Sequence, residues 1–158
     1  MLWFKKKIKI EDYVTELVQE KLPRAVQFFD RENERAHQSL KIDDTRLLEI
    51  GAGMALFFLG KYFPDNEKEN LAIMSRAYKQ MEKLLPAMNA KPKEAYAWWK
   101  AFTDGLIFQE NEQRLRIACR LVWEKILHEK AYREASPLKT FGYFLEMEIE
   151  GAEKLNLV

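Results

Sequence analysis

The sequence predicts a single all-α domain, built as a bundle of about six helices or as stacked helical hairpins with short connections. Apolar residues recur at spacings of three and four along most of the chain, which is the period of an amphipathic helix. Only 6 glycines and 5 prolines occur in 158 residues, and this low content favours long regular elements. No run alternates β-branched and polar residues, so no strand is predicted.

Length and charge narrow the class of protein. A chain of 158 residues usually folds as one domain, and we divide it into a basic and aromatic N-terminal segment, residues 1–9, and a helical domain, residues 10–158. The 26 Lys and Arg residues nearly balance the 25 Asp and Glu residues, which disfavours a nucleic-acid-binding module. The single cysteine, Cys119, fits a reducing compartment, and residues 1–9 lack the apolar stretch of a secretory signal. We therefore expect a cytoplasmic protein.

The first helical region carries two apolar rows with the same i, i+3, i+4, i+7 spacing. One row begins at Ile10 and the other at Leu22. Pro23 falls where the rows meet, so it either kinks one long helix or begins a second one. Residues 30–38 are strongly polar, and we expect them to form a solvated extension that buries no core.

The next helix is predicted over residues 45–63, where Pro64 stops it. It is apolar on nearly every face, so it should be the central and most buried helix, with Met54 and Phe58 in the core. Its apolar stretch is about 17 residues long, which is short of the roughly 20 residues that a membrane span needs. Glycines inside a helix indicate close approach of a neighbouring helix, and this one has three: Gly51, Gly53 and Gly60.

A capping box predicts the start of the following helix. Asn66 and Glu69 have the required spacing of three residues, and Pro86 places the end near Leu85. An apolar seam along this helix should pack against one partner helix. A methionine-rich row can also be an adaptable binding surface, although we favour core packing. The seam consists of Leu71, Met74, Tyr78, Met81, Leu85 and Met88.

Three more helices are predicted in the second half of the chain. Pro92 begins the fourth, Asn111 caps the fifth, and Ser136 followed by Pro137 begins the sixth. We expect the sixth helix to turn one apolar row inward. That row consists of Leu138, Phe141, Leu145, Ile149 and Ala152.

No local pattern predicts catalysis, a metal site or a cofactor. Glu34 and His37 have the Glu-x-x-His spacing of di-iron bundles, but no second copy of the motif occurs, so an exposed polar helix is favoured. Glu146, Glu150 and Glu153 share one face of the last helix. Such carboxylates can bind a cation or a basic partner, although a solvated outer face is the ordinary interpretation.

An aromatic group in the fourth helix is the first candidate contact surface. Tyr96, Trp98 and Trp99 occur close together, and adjacent residues of a helix point about 100° apart. The apolar row of this helix lies nearer to Trp99. We therefore predict that Trp98, with Tyr96 and Lys100, is an exposed anchor for a partner or for a second copy of the chain.

The N-terminal segment is the second candidate surface. Two aromatic residues followed by lysines suit an anionic membrane surface, where each lysine contributes about 1 kcal/mol. A frayed terminus or an aromatic clip over the bundle is the interpretation that we favour. The segment comprises Trp3, Phe4, Lys5, Lys6, Lys7 and Lys9.

By elimination, we expect a non-enzymatic adaptor or scaffold protein that binds another protein or itself, with no cofactor and no metal. A peripheral membrane protein that uses the N-terminal segment is the first alternative. The second is an enzyme or small-ligand-binding domain, because catalytic groups brought together from distant positions leave no local motif. Its pocket would be lined by Trp98, Trp99, Phe57 and Phe58.

Overall fold

The computed structural model describes residues 4–35, 44–60, 62–85 and 136–158. These residues are mostly helical, as predicted, and contain four continuous helical segments together with two short strands. The fourth and fifth predicted helices lie outside the described residues. The elements are β1 (Lys6–Ile8), α1 (Ile10–Glu16), a π-helical turn (Leu17–Lys21), α2 (Leu22–Arg35), α3 (Asp44–Gly60), α4 (Glu67–Leu84), α5 (Ser136–Glu150), a 3-10 turn (Gly151–Lys154) and β2 (Leu155–Leu157).

Helix α3 lies at the centre of the described fold. It packs against α2, α4 and α5, and every residue from Gly51 to Leu56 is buried. The prediction that this helix is apolar on nearly all faces is therefore confirmed for these residues, and its place as the most buried helix of the fold stays a prediction. Phe58, which we expected in the core, is only half-buried, whereas Leu59 is fully buried.

Gly51 allows two other elements to approach α3 closely. A Cβ atom added at Gly51 would lie 2.8 Å from Cδ2 of Leu22 on α2 and 2.8 Å from Cζ of Phe141 on α5. This is closer than van der Waals contact permits, so the packing requires a residue without a side chain here. At Gly60 an added Cβ would meet no described residue within 4 Å, so none of the described elements makes the close approach that we expected there.

The π-helical turn between α1 and α2 brings the two predicted apolar rows onto one face. Ile10 and Leu22 are 12 residues apart, which in a regular helix would place the rows about 120° apart. The N–H of Leu22 donates to the carbonyl of Leu17, five residues earlier, so this turn holds one extra residue. The rows then differ in phase by only about 20°. Pro23 follows directly and begins no separate helix, because α2 continues the same helical segment.

The polar end of α2 departs from the prediction at one position. Glu32 is only 9% exposed, although we expected no buried residue in this stretch. Its carboxylate accepts two hydrogen bonds from the Arg35 guanidinium, from Nε at 2.8 Å and from Nη2 at 2.7 Å. This pairing compensates the loss of water around the charge. The pairing also raises the pKa of Arg35.

Helix α4 begins and ends as predicted. The backbone N–H of Glu69 donates to Oδ1 of Asn66 at 3.1 Å, and the helix ends at Leu84. The predicted seam is wrong at Leu71, which is 60% exposed. The buried face is centred near Ala77 and Met81, about 90° around the helix from Leu71. It consists of Ile73, Met74, Ala77, Tyr78 and Met81.

Helix α5 turns the predicted row inward, with Phe141, Leu145, Ile149 and, in the 3-10 turn, Ala152 buried. The absence of strands was predicted wrongly, because β1 and β2 form a parallel two-stranded sheet. Lys6 pairs with Leu155 and Ile8 with Leu157. Each strand has only three residues, which is too short for an alternating pattern to stand out from the sequence.

Candidate binding groove

An open groove of about 1030 Å³ runs along the outer side of α5. The segment between α3 and α4 forms one wall, and the second half of α5 with the turn and strand that follow forms the other. The groove is lined by Lys5, Tyr62, Phe63, Pro64, Asp65, Tyr143, Glu146, Met147, Glu150, Ala152, Glu153, Leu155 and Asn156.

Local hydrogen bonds fix the first wall. The N–H of Tyr62 donates to the carbonyl of Leu59 at 2.9 Å, which closes the end of α3. Phe63 is buried in the core, and the side-chain amide of Asn70 donates to the carbonyl of Pro64 at 3.3 Å. The connection is therefore tied to both α3 and α4. Asp65 follows on this wall and is exposed.

Helical geometry determines the second wall. Because Phe141 and Leu145 point into the core, residues about half a turn away from them point outward. These outward positions are occupied by Glu146 and Glu150, one helical turn and about 6 Å apart along the axis. Glu153 of the 3-10 turn is exposed and extends the row.

The groove is acidic. Asp65, Glu146, Glu150 and Glu153 contribute four carboxylates, and among the described residues Lys5 is the only cationic side chain in the lining. Among the described residues, none of the four carboxylates forms an ion pair.

The groove also offers apolar surface between these charges. Met147 is 64% exposed, although it lies on a helix whose opposite face is in the core. Tyr62 and Tyr143 line the groove and are half-buried. A methionine flanked by tyrosines can adapt its shape to an apolar side chain of a ligand.

Glu148, on the same helix, has a different environment. Its Oε2 lies 3.8 Å from Nζ of Lys21 and 3.6 Å from Nη1 of Arg24, and Nζ of Lys21 also donates to the Glu148 carbonyl at 3.1 Å. These contacts join α5 to the π-helical turn and to α2. Glu148 is thus part of the helix packing and does not line the groove.

A buried tyrosine lies beside this ionic contact. Nζ of Lys21 is 6.0 Å from the centre of the Tyr13 ring. Burial raises the pKa of Tyr13, and the charges of Glu16, Tyr62 and Glu148 add to the shift. The phenol is therefore neutral throughout the physiological range. Its hydroxyl has no hydrogen-bond partner in the part of the chain that the structure describes.

The predicted N-terminal surface is described from Phe4 onward. Phe4 is 93% exposed, and Lys5, Lys6, Lys7 and Lys9 are exposed as well. Only Lys5 of this set lines the groove. Trp3 lies outside the described residues, as do the predicted anchor residues Tyr96, Trp98 and Lys100, and also His37 and Cys119.

Sequence reasoning identified one row of the groove's carboxylates but interpreted that row as a solvated outer face. The i, i+4, i+7 spacing of Glu146, Glu150 and Glu153 identified one acidic row. The sequence reasoning missed Asp65 and Tyr62, because their position opposite α5 depends on where α3 ends and not on any local motif. The one sequence feature that could have indicated Asp65 is its position directly after Pro64, the proline that ends α3.

Comparison with protein-family models, with curated proteins and with solved structures finds no match for this chain. Within the described ranges, no helix is both long and apolar enough to cross a membrane. The same residues contain no group of three or more His, Cys, Asp and Glu side chains placed to hold a metal ion.

Proposed function

We propose that this chain is a non-enzymatic helical protein of the cytoplasm that acts by binding another protein. The acidic groove beside α5 is the observation that supports the proposal. Its four carboxylates, with no ion pairs among the described residues, favour a basic ligand, and its exposed methionine favours an apolar side chain. The proposed ligand is therefore a lysine- or arginine-rich segment that also carries an apolar residue.

The spacing of the carboxylates favours an extended ligand. Glu146 and Glu150 are about 6 Å apart along α5, and Glu153 continues the row. Asp65 lies on the opposite wall. A segment lying along the groove would bring successive cationic side chains to these positions, with Met147 contacting an apolar residue between them.

We further propose that residues 92–135 supply the two helices that complete a six-helix bundle. The Pro92 and Asn111 start signals and the apolar row at Leu115, Ala118 and Val122 support this proposal. The predicted anchor Trp98 lies in the first of these helices and is a second proposed contact surface. The acidic groove and the surface around Trp98 would both serve protein binding.

Affinity purification with three forms of the intact chain tests the groove. The first is the natural sequence, and the second carries Glu146→Gln, Glu150→Gln and Glu153→Gln. The third is a matched control that removes the same charge from exposed positions elsewhere, through Glu34→Gln, Glu67→Gln and Glu82→Gln. We expect a partner that the natural and control forms retain and the groove variant loses.

A defined probe makes the test quantitative. A fluorescent peptide of leucine and lysine should bind the natural chain and, through loss of exposed charge pairs, bind the groove variant about tenfold more weakly. Anisotropy titration measures this difference, which should shrink at high salt. Equal affinity for the groove variant and the control variant would refute the groove as the binding site.

A further inference from the structure

A second exposed surface lies on the N-terminal side of the sheet. Phe4 is 93% exposed, and the four lysines at positions 5, 6, 7 and 9 are all exposed. Lys154, also exposed, directly precedes the residue that pairs with Lys6. Five cationic side chains and one large aromatic ring are thus concentrated around one short strand.

Hydrogen bonds hold this surface on the fold. The N–H of Val158 donates to the carbonyl of Ile8 at 3.0 Å, and the N–H of Ile10 donates to the carbonyl of Val158 at 2.9 Å. Ile8 and its partner Leu157 face the core, so Lys7 and Asn156 occupy the opposite face of the sheet. Lys6 and Lys7 therefore lie on opposite faces of a fixed strand, and Lys5 and Lys9 flank its two ends.

The charges of this strand are not neutralised within the described residues. None of Lys5, Lys6, Lys7 and Lys9 forms an ion pair there, whereas Lys21 and Arg76 each contact a glutamate. Lys6, Lys7 and Lys9 also lie outside the acidic groove. Lys9 lies close enough to the Glu11 carboxylate to help lower its pKa, so the attraction for an external anionic surface comes mainly from Lys6 and Lys7.

We propose that Phe4 and the lysines of β1 bind the surface of an anionic lipid membrane. Lysines contact the anionic headgroups, and the Phe4 ring enters the boundary between headgroups and acyl chains. The exposure of Phe4 favours lipid over an acidic protein. An exposed aromatic ring beside several lysines is the pattern of residues that sit at the boundary of an anionic bilayer, with the ring among the headgroups and the ammonium groups in water. This inference goes beyond the proposed function and is independent of the groove.

Vesicle flotation with the intact chain tests the proposal. We expect the natural chain to float with phosphatidylcholine vesicles that contain about a third phosphatidylserine and not with phosphatidylcholine alone. Because each lysine near an anionic membrane strengthens binding about fivefold, the variant Lys6→Gln, Lys7→Gln, Lys9→Gln should lower the partition coefficient about 100-fold. Circular dichroism checks that each variant is folded.

A matched control separates this surface from net charge. The variant Lys68→Gln, Lys79→Gln, Lys83→Gln removes the same charge from exposed positions of α4 and should float almost as well as the natural chain. Phe4→Ala should weaken binding at low and high salt alike, whereas the lysine contribution should fall between about 0.1 M and about 1 M salt. The different salt dependence thus separates the contribution of Phe4 to binding from that of the lysines.

Three outcomes would overturn the proposal. The first is no flotation with anionic vesicles, and the second is an equal loss of binding in the β1 and α4 lysine variants. The third is binding of a polyglutamate peptide with no binding to vesicles, which would assign the strand to an acidic protein. The groove variant keeps all these lysines, so failure of one proposal is distinguishable from failure of the other.

Discussion

Helices α3 and α4 are nearly equal in length, with 17 and 18 residues, but they contribute to the fold in different ways. Helix α3 is surrounded by α2, α4 and α5, and its middle turns are buried on all sides. Helix α4 buries one face and joins α1 partly through polar contacts, including the Arg76–Glu11 ion pair. Helix α3 can be covered on all sides because its sequence is apolar all round, whereas the polar face of α4 stays in water.

Two leucine substitutions should show this difference most strongly. Leu59→Ala in α3 removes a fully buried side chain and should lower the free energy of unfolding by about 3 kcal/mol. Leu71→Ala in α4 changes a side chain that is 60% exposed and should cost less than about 0.5 kcal/mol. Urea denaturation of both variants measures the difference, and similar costs would show that the two helices are equally buried.

Two glycines of α3 sharpen the comparison within one helix. Gly51→Val places new atoms against Leu22 and Phe141 and should cost about 2 kcal/mol through overpacking. Gly60→Ala meets no described residue within 4 Å and should stabilise the protein by up to about 1 kcal/mol through lower unfolded-state entropy. Thermal denaturation of the pair checks the prediction. A neutral Gly51→Val would mean that α2 and α5 can move away from α3 without cost.

The ion pair on α4 should have a smaller effect than Leu59→Ala or Gly51→Val. Arg76 donates from Nε to Glu11 at 2.6 Å and holds the pKa of Glu11 below its ordinary value of 4.5. Both side chains are partly exposed, so solvent screening limits the contribution to at most about 1 kcal/mol near neutral pH.

This contribution depends on pH with a defined sign. Because the pKa of Glu11 is lowered on folding, the stabilisation is present above the unfolded value of 4.5 and is lost as pH falls through the folded value. Urea denaturation at a series of pH values should therefore show a difference in the free energy of unfolding between the natural chain and Glu11→Gln near neutral pH. This difference should vanish once the pH is below the folded pKa of Glu11. A difference in the free energy of unfolding that stayed constant with pH would contradict this prediction. The variant Glu82→Gln, which removes an exposed carboxylate of the same helix that carries Arg76, is the control.

Local rules predicted the parts of the fold that depend on neighbours in sequence. The cap at Asn66, the end of α4 and the inward row of α5 each depend on residues within one or two turns. The close approach at Gly51 was also predicted, because a glycine weakens a helix interior and is favoured there where another element needs the space of its side chain.

Features that depend on distant residues were missed. The strand Lys6–Ile8 forms because Leu155–Leu157 lies beside it, and no local pattern connects the two ends of the sheet. Glu148 and Glu150 look alike in the sequence, but Lys21 and Arg24 engage only the first of them. The groove likewise depends on the wall that contains Asp65. Long-range placement therefore decided both the sheet and the candidate site.

The π-helical turn at Leu17–Lys21 determines whether this part of the chain can lose a residue. Removing one residue there would turn it into regular helix and keep both apolar rows on the core, so the deletion itself preserves packing. Pro23 would then lie inside a regular helix, where its ring and missing N–H cost about 3 kcal/mol. A shortened chain should therefore be more stable by about 3 kcal/mol when Pro23 is replaced by alanine at the same time.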